Sequence, residues 1–153
     1  MIFSIKLVIL SFVLPCIFTT VAAQTCSQPG SLLSIRNSYR SHLEYIIFTF
    51  IDPYKSKGEL HKTSKGSFNL QPSISGTDIQ GDQFYSITFS NSFSICDTKN
   101  YCIVPQEKIK DIRLIQKTEG KITYVFGLAK NAKITSHTAY NNHGFHMVKI
   151  RVE

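Results

Sequence analysis

The sequence predicts an all-β protein, an antiparallel β-sandwich or barrel of about eight short strands. Three observations carry that expectation. Apolar and polar side chains alternate with a period of two through several stretches, which is how a strand with one buried face reads. Gly, Asn and Pro interrupt those stretches at short intervals, where a chain must turn. No helical periodicity is sustained after residue 23. At 153 residues a single core is the expectation, because two would each be marginal.

Residues 1–23 are set apart from that domain. Lys6 precedes an apolar run from Leu7 to Phe18, and the small residues Val21, Ala22 and Ala23 follow. That order is the pattern of a cleaved secretory signal. Pro15 and the Thr19–Thr20 pair break the run short of the ~20 apolar residues needed to span a bilayer. The expectation is cleavage after Ala23, one β domain over 24–153, and an exported product that is periplasmic, cell-surface or secreted. No transmembrane segment is expected after cleavage. Loss of Lys6 leaves 16 basic (17 less one) against 10 acidic side chains, a net charge of +6.

Taken in order, the strands are justified as follows. Residues 32–37 form a weaker candidate. Residues 45–51 are β-branched and aromatic throughout, with Ile46, Phe48 and Phe50 alternating, so both faces suit a central strand. Residues 54–66 read as one long Lys-, Ser- and Gly-rich loop, followed by a weak strand at 68–74. In 85–90, Tyr85, Ile87 and Phe89 point in while Ser86, Thr88 and Ser90 point out. A short helical turn is expected at 105–110. Residues 111–116 and 121–128 flank Gly120, which can take positive φ and close a hairpin. After a weak strand at 133–138, residues 146–152 point Val148, Ile150 and Val152 inward, with Lys149 and Arg151 outward.

Export permits disulfides. Cys96 and Cys102 bracket a short loop and are expected to pair, which stabilises by roughly 2 kcal/mol in the chain-entropy picture. Zinc would require a second ligand pair at metal spacing, and none exists. Cys26 is then left over, free near a chain end or paired between chains.

Chemistry-bearing motifs are scarce. His143 and His146 lie three apart, but Asn141, Asn142 and Gly144 make this a turn, and strand residues three apart face opposite sides. Both are expected to be exposed turn histidines, and no metal site is expected. No Gly-x-Ser-x-Gly elbow, phosphate-cradling loop or EF-hand spacing occurs, so no catalytic residue and no cofactor is assigned. The cationic surplus points to an anionic partner. Tyr54, Lys55, Lys57, Lys62 and Lys65 in the long loop are the candidate ligand contacts. Lys108, Lys110, Arg113, Lys117 and Lys121 form a second group about the hairpin. For an exported protein, a cell-wall polymer or an envelope protein comes before nucleic acid, since no nucleic-acid-reading motif is present.

The order of strands resembles that of a known family. Ser34-Ile-Arg-Asn-Ser-Tyr-Arg40, followed by His42-Leu-Glu-Tyr-Ile-Ile-Phe-Thr-Phe50, is similar to the opening of AMIN and AMIN-like domains. Ile112 to Leu128 looks like their Glu-Gly-centred hairpin, and the stretch from Val148 to Val152 stands where their closing strand does. The resemblance covers most of 32–152. It implies a β-sandwich outside a bacterial cytoplasmic membrane, linked to cell-wall localisation and peptidoglycan binding. The family's closing Pro-x-Arg-Leu-Val-Ile-Asp run has no counterpart here, and no residue roles are carried over. The expected function is therefore a non-catalytic envelope module for peptidoglycan or another anionic glycan. An envelope-protein interaction domain is one alternative. A secreted hydrolase inhibitor, with the Cys96–Cys102 loop as its finger, is another, and a +6 protein disfavours cationic targets.

Overall fold

The computed structural model describes residues 28–68, 78–92, 94–96, 101–102 (backbone only), 104–118 and 120–153. The signal segment, Cys26, all but the first residue of the 68–74 strand, the middle of the cysteine loop and the Cys102 side chain lie outside the described residues.

Two sheets face each other. β1 (Leu32–Arg40), β2 (Leu43–Ile51), β5 (Tyr101–Cys102), β8 (Ile134–Asn142) and β9 (Phe145–Val152) make a five-stranded sheet in the order β5-β1-β2-β9-β8. β3 (Glu59–Thr63), β4 (Gln83–Ser92), β6 (Ile109–Thr118) and β7 (Gly120–Leu128) make a four-stranded sheet in the order β3-β4-β7-β6. Neighbours run antiparallel except β1 and β5, which are parallel. The sandwich expectation holds, and β2 takes the central place its two apolar faces require.

Alternation builds the core. Ile46, Phe48 and Phe50 of β2 and Val148, Ile150 and Val152 of β9 face Ile87 and Phe89 of β4 and Ile122, Tyr124, Phe126 and Leu128 of β7. Rings interlock across the layers: Phe48 lies 4.9 Å from Phe89 and 5.6 Å from Tyr124, and Phe50 lies 4.8 Å from Phe89. Burying one such side chain contributes about 1.5–3 kcal/mol, so the facing rings dominate the cohesion of the two layers.

Two expectations are corrected. The loop over 54–66 contains β3, which pairs with β4 from Glu59 opposite Thr88 to Thr63 opposite Phe84. Its one apolar residue, Leu60, gives too little alternation to be seen locally. The expected helical turn at 105–110 is not a helix. The buried Glu44 carboxylate accepts the N–H groups of Lys108 (2.9 Å) and Ile109 (2.7 Å), and β6 begins at Ile109. A carboxylate on β2 thus satisfies donors that a helical turn would leave open.

Candidate functional site on the outer face of the five-stranded sheet

Of the five expected ligand contacts, the four lysines lie at the surface and Tyr54 does not. Tyr54 is a correction: it is 4 % exposed, its ring stacks 4.2 Å from Phe50, and its hydroxyl donates to the Ser90 carbonyl at 2.9 Å. Burial pushes its pKa up to about 12, against the opposing pull of the Ser56 side chain. A phenol so enclosed cannot stack on a ligand. Lys65 pairs with Asp78 at 2.7 Å. Lys62 donates to Gln83 at 3.4 Å and sits 6.0 Å from the Tyr85 ring centre. Lys55 and Lys57 are exposed.

Of the two expected turn histidines, His143 is exposed in the β8–β9 turn, with φ +48°. His146 is the other correction. It shares the inward parity of Val148 and is 5 % exposed. Its Nε2 donates to the Ser56 carbonyl (3.1 Å), and its Nδ1 lies 2.6 Å from the Asn141 side-chain amide. His137 on β8 donates from Nε2 to the next carbonyl, that of Lys57, at 2.6 Å. Burial lowers the His137 pKa and the Lys57 charge lowers it further, while the bond to the Lys57 carbonyl works the other way. Two imidazoles therefore fasten the chain that crosses from β2 to β3. Among the described residues no group of three His, Cys, Asp or Glu side chains could hold a metal.

The surface that does collect charge lies elsewhere. Residues directly opposite on paired strands share a face, so the registers set out the outer side of the five-stranded sheet row by row. Phe145 of β9 stands between Ile51 of β2 and Asn142 of β8. The next row is Ser34, Thr49, Met147 and Tyr140, followed by Arg36, Ile47, Lys149 and Thr138. Ser38, Tyr45, Arg151 and Ser136 close the pattern, and Arg40 follows on β1. Strands lie about 4.8 Å apart and rows about 6.8 Å apart, so Arg36, Lys149 and Arg151 surround Tyr45 within roughly 10 Å.

Contacts within this face are specific. Lys149 Nζ stands 3.9 Å above the Tyr45 ring centre, a cation–π geometry that keeps the ammonium over the sheet. Arg151 donates from Nε to Thr135 at 2.8 Å and pairs with Glu153 at 3.1 Å. Glu44, the one acid within these strands, has the opposite parity and is buried. Flanking hydroxyls come from Ser34, Ser38, Ser136 and Thr138. The sequence placed Lys149 and Arg151 outward, but neither Arg36 nor Tyr45 stood out. Only register brings β1 and β9 to either side of β2.

No family model, curated protein or solved structure matches this chain. The chemistry of the face is what bears on function.

Proposed function

We propose that the protein is an exported, non-catalytic binding module of the cell envelope that takes an anionic glycan on the outer face of its five-stranded sheet. The observation that carries this reading is Lys149 set 3.9 Å over Tyr45 on a face that also presents Arg36, Arg40 and Arg151. Carboxylates of a glycan would meet the guanidinium and ammonium groups, and the Ser and Thr hydroxyls would bond its sugar hydroxyls. Attraction of this kind weakens as salt rises. The Lys55 and Lys57 loop is at most an accessory to it. The cleaved signal, the AMIN-like relationship and a Cys96–Cys102 disulfide belong to the same proposal. Non-reducing peptide mapping that joins those two cysteines supports the last, and a bond to Cys26 replaces it.

The test is co-sedimentation of protein lacking residues 1–23 with isolated cell-wall sacculi at rising salt. Binding at low salt, lost as salt increases and weakened about tenfold (~1.4 kcal/mol) by the pair Tyr45→Ala and Lys149→Ala, is expected. The pair Lys55→Ala and Lys57→Ala should change it little. No sedimentation even at low salt ends the proposal.

A further inference from the structure

The same face changes character along its length. At the Arg36–Lys149 and Tyr45–Arg151 rows it is cationic. In the next two rows, toward the β8–β9 turn, it carries Tyr140 at 43 % exposure beside the buried Met147, then Phe145 at 38 % beside half-buried Ile51. Four large apolar side chains are exposed among the described residues, Tyr39, Val104, Tyr140 and Phe145, and the last two stand in adjacent rows at this hairpin end. Asp52 adjoins this end but has the opposite parity, and its Oδ1 is buried. A ligand wholly made of polar sugar would gain nothing from rings at that end. Aromatic side chains at the rim of a cationic surface are instead suited to the boundary between lipid headgroups and acyl chains.

We propose that the ligand is an anionic glycolipid held in a membrane surface. Its sugar carboxylates lie over Arg36, Lys149 and Arg151, and Tyr140 and Phe145 enter the headgroup layer beside it. Charge complementarity selects the headgroup, and the exposed rings add apolar burial that a soluble glycan does not offer. This inference rests on the reading that the face binds anionic glycans, and it names the source of the glycan.

The test is vesicle flotation with the chain lacking residues 1–23. It uses phosphatidylcholine vesicles, the same vesicles doped with a sialic-acid ganglioside, and the same vesicles doped with phosphatidylglycerol at equal charge. Soluble heparin, measured by calorimetry, is the membrane-free probe. Expected is flotation with ganglioside vesicles at least tenfold stronger than with either other kind. The double variant Tyr140→Ser and Phe145→Ser should lose at least tenfold on ganglioside vesicles, yet bind heparin within twofold of the parent. An unchanged urea midpoint would show that the variant is folded, as its exposed positions lead one to expect. A variant that floats as well as the parent overturns the role of the rings. Equal flotation with phosphatidylglycerol overturns the glycolipid. Heparin binding without any vesicle binding overturns this inference alone, whereas no binding to heparin or to any vesicle removes the glycan reading as well.

Discussion

The outer faces of the two sheets are built by the same alternation and end differently. On the four-stranded sheet the outward positions include Phe84, Val125 and Ile115, and the chain returns to cover them. Phe68 and Ile79 pack there as a second small core. The covering segment sits so close that a Cβ on Gly127 would lie 1.8 Å from the Gln80 carbonyl oxygen, and Gly81, with φ +138°, lies directly above it. Gln80 and Asp82 are held in place by N–H bonds to Asp111 (3.3 Å) and to the Leu128 carbonyl (2.8 Å). On the five-stranded sheet the outward positions mix Ile47, Ile51, Met147 and Phe145 with Ser, Thr, Tyr, Lys and Arg, and Arg36, Arg40 and Tyr140 remain exposed there. An apolar outer face must be covered by its own chain, whereas a cationic one can remain open to meet a partner.

The sharpest way to break this contrast is Gly127→Ala. The new methyl group meets backbone rather than a yielding side chain, so a loss of about 3 kcal/mol or more is expected in urea unfolding. A loss below about 1 kcal/mol would mean the cover is not closely packed. Ile79→Ala comes next. Removing a buried aliphatic side chain from the covered face should cost about 2–3 kcal/mol, with no effect on glycan binding in the sedimentation assay.

Tyr45→Ala on the open face should show the reverse. It should cost less than about 1 kcal/mol of stability while weakening glycan binding several-fold. Equal losses of stability at Ile79 and Tyr45 would erase the distinction between the faces. Glycan binding that survives Tyr45→Ala unchanged would move the site elsewhere.

The smallest effect is expected from acid, at the side of the sandwich between the two faces. The His137 pKa is lowered in the folded protein, so the folded state binds this proton less readily than the unfolded chain does. Stability from that group is present above the unfolded value of about 6.5 and is lost as pH falls below it. Thermal unfolding from pH 8 to pH 5 should show the decline, and His137→Gln should make it shallower. A pH dependence identical in the variant would place its origin in another group.

Much of the fold was legible in the sequence. The alternations in β2, β4, β7 and β9 marked which side chains face inward, since each reading needs only its own few residues. The hairpin at Gly120 was legible for the same reason. β3 was hidden because Leu60 alone carries its inward pattern, and pairing with β4 supplies the rest. Tyr54 looked like a loop aromatic beside lysines. It is buried because the chain after β2 folds over the end of the core, where Phe50 and His146 receive the ring. His146 was read as part of a turn, although the closing strand read from 146 to 152 already gives it the inward parity of Val148.

The candidate site was less legible than the fold. A period of two is local, so it told Lys149 and Arg151 apart from Val148 and Ile150 without reference to any other strand. It could not say that Arg36, more than a hundred positions away in sequence, lies in the same row as Lys149. Composition and alternation by themselves determined an all-β chain with a cationic surplus and a set of inward and outward side chains. Tertiary structure alone decided which outward side chains are neighbours, which face is covered, and that Tyr54 of the lysine-rich loop turns into the core. The physical reason is that facing is set by backbone geometry within a strand, whereas adjacency across strands is set by hydrogen-bond register between segments distant in the chain.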